Sequence, residues 1–526
     1  MSTSDTLDTR SIPSDLRARL VPETENDQLL ATIVFHPELE RIGEVSCLGA
    51  LSSHHRLNLG RLEPHFAPSE CVGTEWARPL AEDYVSREAV DLVLRGGDVS
   101  LLRKSGSSRA QVDGLELGEE AVLISAEQLR RGIALSLSHS VVLLLHTGRV
   151  PCQQSAPEDG LMLGRGQSMQ ALREQIQRVA RAQVDVLIRG ETGTGKELVA
   201  RALHAASQRC AGPLIVVNMA AIPPGLAAAM LFGAARGAFT GAERSREGYF
   251  QAAHGGTLFL DEVGDTPAEV QPQLLRALQQ REVQQVGGPV SRVDVRVVSA
   301  TDADIDRPGG SFRAALLHRL GAAELSLPPL RERREDLATL LCHFLKRELD
   351  KLGRGGLFQS KSTSVATTAL WAQLFHYFVR YDWPGNVREL ENAATAVALA
   401  SDEQPTLPPG LFQRIRQTPM SDVEDIAPVR PLTDYSDEEI KSALRQCEFE
   451  IAATSRQLGV TRSALYRRLE KTPGIRLPVE IPIEEIRETL ARYDGDEQAA
   501  ARQLCISCSG LRGRIGREVP GNGGLR

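Results

Sequence analysis

A chain of 526 residues has room for three or four domains, and its 42% hydrophobic and 25% charged content is ordinary for soluble globular protein. A net charge of −7 excludes a chain that is basic throughout, so any nucleic-acid contact must come from a local basic patch. No apolar run is long enough for a membrane span: the longest, 133–145, is broken by Ser136, Ser138, His139 and Ser140. The polar start, Met1 to Asp5, is no secretory signal, and eight cysteines without a framework point to a reducing cytoplasm. Cys505 and Cys508 lack a second pair or a histidine partner and read as helix residues, not a metal site.

In chain order, residues 1–28 are polar and expected to be disordered. Over 29–150, β-like runs at 31–35, 90–94, 121–125 and 141–145 are punctuated by turn residues, which predicts a sandwich or barrel. Residues 151–161 read as a linker. Strands and helices alternate over 162–330, as in a parallel α/β sheet, and 331–400 is mainly helical. The stretch 401–434, rich in proline and acid, reads as a second linker.

The C-terminal part repeats itself at an offset of 46. Glu439-Ile440 recurs as Glu485-Ile486, Leu444 as Leu490, Ala453 as Ala499, and Arg456-Gln457-Leu458 as Arg502-Gln503-Leu504. Leu465 matches Leu511 and Arg468 matches Arg514. Two small helical units, 435–475 and 480–520, follow. The first reads as helix, turn at Gly459, helix; the second helix presents Thr461, Arg462, Ser463, Tyr466, Arg467 and Arg468. Such a helix can enter a major groove with arginines on phosphates and base edges. Charge alone also describes a solvated basic face. The second unit carries Arg512, Arg514 and Arg517, but Gly510, Gly513 and Gly516 weaken it as a helix. A second DNA reader, a dimerisation prop and a decayed copy all remain open.

Two motifs carry chemistry. Gly190, Glu191, Thr192, Gly193, Thr194, Gly195, Lys196 and Glu197 lie between a β-rich run, 184–188, and a helix-like run, 198–205. Glycines let such a loop turn its N–H groups toward phosphate oxygens, the lysine adds charge, and the helix start adds a favourable dipole. Glu197 stands where a serine or threonine usually holds magnesium. About sixty-five residues later, 255–262 reads as a buried strand that delivers Asp261 and Glu262 to its C-terminal edge. Asp261 suits magnesium, directly or through water. Glu262 suits polarising an attacking water, and phosphoryl transfer needs mainly such positioning and charge neutralisation.

Together these motifs resemble the bacterial sigma-54-dependent enhancer-binding proteins, AAA+ transcription activators, strongly over 162–400 and well over 436–475. The most specific motif is Gly237, Ala238, Phe239, Thr240, Gly241 and Ala242, which the resemblance makes the sigma-54-contacting loop. It further implies that Asn218 pairs with the catalytic glutamate, that Arg313 and Arg319 reach a neighbouring subunit's phosphates, and that Thr301 sits at the first sensor. In the lid motif at 383–390 it makes Arg388 the second sensor, and Glu197 is the family's residue at its position. The chain departs at Met230, at Ala234-Ala235 where the family has His-Glu, at Asp302 in place of asparagine, and at Ala314-Ala315. These changes bear on loop control and ATPase rate.

The N-terminal part resembles a forkhead-associated domain, with Gly60-Arg61, Ser86-Arg87 and Val112-Asp113-Gly114 in the family's order. Arg61, Ser86 and Arg87 would then read a phosphothreonine. The family's histidine is Ala89 and its asparagine is replaced near Ser108, so an interaction domain that has kept only the fold stands beside that reading. The expected architecture is a forkhead-associated-like β-sandwich, an α/β AAA+ P-loop core with an α-helical lid, and all-α helix-turn-helix units. The resemblance implies ATP and Mg2+, sigma-54 RNA polymerase, double-stranded DNA at an upstream enhancer site, a phosphothreonine protein, a homo-oligomer of hexameric form, no membrane and a cytoplasmic location. The competing reading is an ATPase-impaired, DNA-bound scaffold or repressor that reads phosphoproteins.

Overall fold

The computed structural model describes residues 28–511 outside 52–53, 69–75, 96, 119, 150–161, 239–244, 303–304, 306–311, 360–363, 418–435, 448, 450–453, 455–464, 466–467, 470–480, 494–495, 505 and 508–510. The stretches expected to be a disordered start and a first linker therefore lie almost wholly outside the described residues.

The N-terminal strands form two sheets around one core, which decides for a sandwich over a barrel. One sheet runs Val45–Ala50, Gln28–Phe35, Val141–Gly148, Ile133–Leu137, Ala110–Val112, Leu115–Glu116; the other runs His54–Leu59, Val90–Arg95, Asp98–Arg103, Val122–Ile124. Side chains alternate across a strand. Leu29, Ala31 and Ile33 accordingly enter the sandwich core, and so do Val141, Leu143 and Leu145. Their alternates Val34, Val142 and Leu144 are buried too, in a different cluster shared with the helical lid, and Phe35 joins that cluster past a register irregularity between Ile33 and Phe35. A sheet covered on both faces accounts for the largely hydrophobic runs of these two strands, interrupted in the first by buried Thr32.

The second sheet is parallel, in the order Leu214–Asn218, Thr257–Asp261, Arg296–Thr301, Val186–Arg189, Ala323–Ser326. Each strand's C-terminal end points to one edge, where ligands of open α/β sheets bind. The lid comprises helices Arg334–Lys351, Val365–Arg380 and Asn386–Ala400, and a fourth, Pro409–Gln417, inside the stretch expected to be linker. Pro409 opens that helix at the first position, where its missing N–H costs nothing, and Leu411 and Ile415, one turn apart, bury themselves on the lid.

The sandwich sits on the lid. Phe35 packs against Phe375 with ring centroids 5.2 Å apart, and Ser136 Oγ lies 2.9 Å from His376 Nδ1. Arg380 faces Asp113 at 3.6 Å, and a Cβ on Gly114 would come within 3.0 Å of its guanidinium. The turn Asp113-Gly114 is thus a lid contact. Asp336 at the lid's first turn accepts from the backbone N–H groups of Arg165 and Gly166, both at 2.6 Å, tying in the start of the core. Among the described residues no helix is long and apolar enough to cross a membrane.

Candidate functional site

The phosphate loop forms because a buried strand, Val186–Arg189, ends where helix Lys196–Ala205 begins. Gly193 and Gly195 adopt positive φ of 80° and 107°, conformations that strain any residue with a Cβ. Thr194 Oγ donates to the Glu191 carbonyl at 2.7 Å and closes the turn. Lys196 is 6% exposed; its Nζ donates to the Gly190 carbonyl at 3.0 Å and lies 3.3 Å from Glu262 Oε1. Asp261 ends the neighbouring strand, and Glu262 follows in a left-handed conformation, φ 52°, that turns its carboxylate to the lysine. Burial raises the pKa of both carboxyls, with Lys196 opposing the rise. Arg388, exposed beside Gly193, also favours the charged form of Asp261.

Asn218 corrects one expectation. It stands in register with Asp261 on the adjacent strand, so its amide donates to Asp261 Oδ2 at 3.4 Å while Glu262, beyond the strand end, pairs with Lys196. Thr301 is buried, and its carbonyl accepts from Gly190 N–H at 3.3 Å. Asp302 accepts a short hydrogen bond from Thr192 Oγ, which lowers its pKa, and its N–H donates to Glu262 at 3.3 Å. Glu197, at the usual magnesium position, pairs with Arg201 one turn on at 2.6 Å.

Three residues absent from the expected set hold the loop to the lid. Arg331 grips Glu191 with two bonds of 2.6 and 2.9 Å, which lowers that carboxyl's pKa. Buried Asn386 donates to Glu191 at 3.0 Å and to the Thr192 carbonyl at 3.1 Å, and accepts from Leu330 N–H at 2.8 Å. Arg333 donates to the Thr194 carbonyl at 3.1 Å. A Cβ on Gly193 would meet the Gly385 carbonyl at 2.4 Å, so loop and lid touch through backbone. The signal for Asn386 stood inside the Trp-Pro-Gly-Asn motif; Arg331 and Arg333 had none beyond their position at the lid's start.

The other expected residues are placed unevenly. Arg313 is exposed at the start of helix Ala314–Leu320, while Arg319 donates to the Leu278 carbonyl of its own chain at 3.0 and 3.3 Å. Gly237 has positive φ and open space around it, and Ala238 lies against Gly287; Phe239, Thr240, Gly241 and Ala242 lie outside the described residues. Ala234 bridges both Arg246 and Val286 at the root of this loop. Of the DNA-facing set, Thr461, Arg462, Ser463, Tyr466 and Arg467 lie outside the described residues. Arg468 corrects the expectation of a free groove-facing arginine: its guanidinium bonds Asp437 of helix Asp437–Gln446 at 2.8 Å, because it flanks buried Leu469 and faces that helix.

On the sandwich, the loops that carry Arg61, Ser86 and Arg87 meet through their backbone. Ser86 and Ser108 exchange reciprocal bonds, N–H to Oγ, of 3.1 and 2.7 Å, and Arg61 N–H donates to the Ser86 carbonyl at 2.9 Å. A Cβ on Gly60 would strike the Arg87 carbonyl at 2.1 Å, so only glycine allows the two loops to meet. The Arg61 side chain bonds Asp83 at 3.1 Å, and Arg87 is exposed.

A phosphate loop at the carboxyl edge of a parallel sheet, closed by a helical lid and followed by small helical units, is the plan of an ATP-binding regulator of transcription. Comparisons carry this further. Residues 162–326 match the sigma-54 interaction domain, 331–425 the AAA+ ATPase lid domain, and 432–471 the bacterial regulatory protein Fis family. The chain is 37% identical over 383 residues to the transcriptional regulatory protein ZraR of Escherichia coli K12, covering 71% of this chain and 82% of that protein. It is 43% identical over 259 residues to the DNA-binding transcriptional regulator NtrC of Proteus hauseri, 48% and 52% of the two chains. The solved structure of NtrX from Brucella abortus in complex with ATP aligns with 59% of this chain and 69% of its own, at 32% identity and a TM-score of 0.41. The chain belongs to the sigma-54-dependent transcriptional activators.

Proposed function

We propose that this activator hydrolyses ATP to drive the loop bearing Phe239 against sigma-54 RNA polymerase. The observation that carries the reading is the convergence of Lys196, Asp261, Glu262, Asn218 and Thr301 on one edge of the parallel sheet, at a helix start. Lys196 and the loop N–H groups bind the phosphates, Glu262 orients and polarises the water, and Asn218 reports on the pocket through Asp261. Arg388 closes the lid side. Mg2+ fits the donor set: Asp261 offers a hard oxygen at the strand end, and this ion is commonly held by one or two carboxylates, waters and the substrate's own phosphates. When bound, the ion would neutralise phosphate charge.

Exposed Arg313 supports supply of a charge to a neighbouring subunit in a ring, a hexamer by the family's pattern. Arg319 would first have to leave the Leu278 carbonyl. The Fis-type unit holds the protein on duplex DNA through Thr461, Arg462, Ser463, Tyr466 and Arg467. The meeting loops of Arg61, Ser86 and Arg87 support a forkhead-associated-like sandwich that gates the motor by phosphothreonine binding. A second reading rests on Asp302: a carboxylate bonded to Thr192 and beside Glu262 adds negative charge where phosphate must sit, which favours an impaired ATPase acting as scaffold. Turnover by the full chain separates the two. Hydrolysis that falls about 100-fold or more in Glu262→Gln is expected of a motor; hydrolysis absent from the unmodified chain would establish the scaffold.

A further inference from the structure

The lid helix Asn386–Ala400 begins without a side-chain cap: Gly385 stands at the cap position. The first N–H groups of any helix need partners from outside it. Here the phosphate loop supplies one. The Gly193 carbonyl accepts from Val387 N–H at 3.0 Å and from Arg388 N–H at 3.3 Å. The helix that carries Arg388 is thus seated, backbone on backbone, on the loop that cradles phosphate.

Three side chains fix this seat. Asn386 is fully buried with a left-handed backbone, φ 54°, a conformation that asparagine tolerates better than most residues. Fully buried Trp383 anchors the turn before it: the indole N–H donates to the Phe378 carbonyl at 2.8 Å, and the Trp383 carbonyl accepts from Asn386 N–H at 2.7 Å. From that turn the Asn386 amide nitrogen donates to the Glu191 carboxylate and to the Thr192 carbonyl, while its oxygen accepts from Leu330 N–H. Leu330 opens the turn Leu330–Glu332 that leads into the lid, and Arg331 of that turn grips both oxygens of the same carboxylate. One carboxylate of the phosphate loop is therefore held from the entry to the lid and from the lid helix at once.

Stability does not account for the arrangement. The side chains of Arg331 and Glu191 are 39% and 42% exposed, and ion pairs so exposed add little to folding. What a two-bonded guanidinium adds is orientation. Orientation matters here because Arg388 follows Asn386 by two residues, and its charge reaches Asp261. A displacement of about 1 Å in a group that meets the substrate can cost on the order of 100-fold in rate. The structure assigns Glu191, Arg331 and Asn386 a joint role as positioning residues: they register the lid helix on the phosphate loop, and they act on hydrolysis through Arg388. The assignment rests on the proposed reading of the pocket as an ATPase.

The test uses the full chain, with steady-state ATP hydrolysis to separate kcat from KM and a fluorescent ADP to read binding without turnover. Asn386→Asp sets an acceptor against Glu191 and the Thr192 carbonyl, and is expected to lower kcat/KM about tenfold or more. Glu191→Gln/Asn386→Asp puts a donor opposite an acceptor again and is expected to return to within about threefold of the unmodified chain, since effects of groups in contact do not add. In an Arg388→Gln background, Asn386→Asp is expected to bring no further loss. A further loss in that background would overturn the assignment, and so would a double variant that shows the product of the two single losses. Unchanged kinetics in Asn386→Asp would overturn it as well. If Asn386→Asp lowers the denaturation midpoint too far to be assayed, Arg331→Gln, at a half-exposed position, replaces it in the Arg388→Gln background with the same two outcomes. A chain that binds ADP and hydrolyses no ATP would defeat the ATPase reading instead. The same variants are then compared by their ADP dissociation constants, where rescue by the double variant supports the positioning role and additive losses overturn it.

Discussion

Two loop clusters of this molecule, the P-loop pocket and the sandwich turns around Arg61, Ser86 and Arg87, are built on different principles. The nucleotide pocket is charge-compensated within itself: Lys196 faces Glu262, Arg331 holds Glu191, and Thr192 donates to Asp302. The loop cluster of the sandwich has its backbone locked by the Ser86–Ser108 exchange and keeps an exposed cation, Arg87, at its rim. A pocket whose charges are already paired must rearrange to accept phosphate, which suits a motor. A rigid cluster with a solvated arginine suits reversible recognition. Between them lies the shared core of sandwich and lid, through which any influence of one on the other must pass.

That shared core is the place to break the comparison most severely. Phe375 is fully buried between Phe35 and Phe358. Phe375→Ala is expected to cost about 3–5 kcal/mol, read as a drop in denaturation midpoint, and to unseat the sandwich from the lid. If the midpoint holds, the two bodies are not one cooperative unit. Deleting the first 150 residues is a poorer experiment, since it would strip the cover from the lid's apolar face.

Acid acts on the same body. His36, His146 and His376 are buried, and burial foremost holds their pKa values down to about 4. Each is neutral when folded and charges more readily when unfolded, so its contribution to stability is present above about pH 6.5 and is lost as pH falls toward 4, by up to about 3 kcal/mol per histidine. A midpoint that stays flat from pH 7 to 5 would contradict this.

The sites themselves can then be separated. Ser86→Ala removes one of the two reciprocal bonds and is expected to weaken a phosphothreonine peptide about tenfold by calorimetry, at about 1–2 kcal/mol, without altering ATP binding. Equal binding of phosphorylated and unphosphorylated peptide by the unmodified chain would remove the sandwich from the comparison. Smallest is Asp302→Asn. It takes away a like charge that raises the Glu262 pKa and frees Thr192 of an anionic partner. A rise in hydrolysis of a few fold is expected; a fall would make Asp302 a working part of the site.

The phosphate loop and the Asp261-Glu262 strand were legible because each is continuous in sequence, so local backbone geometry alone puts Lys196 and the carboxylates in place. The repeat at offset 46 was legible for the same reason. The clamp of Glu191 by Arg331 and Asn386 was not, since those side chains arrive from the lid through tertiary packing. Nor was the pairing of Arg468 with Asp437 legible, because a charge run does not reveal which face of a helix another helix covers. The sequence by itself determined the alternation of strands and helices in the core, the P-loop motif and the family, all properties of short windows and fixed spacings, but not the helix Pro409–Gln417. Only the tertiary structure decided that the sandwich rests on the lid, that Asn218 bonds Asp261, and that the loops carrying Arg61, Ser86 and Arg87 meet. Each of these depends on segments far apart in the chain being brought together by cores whose partners no local pattern names.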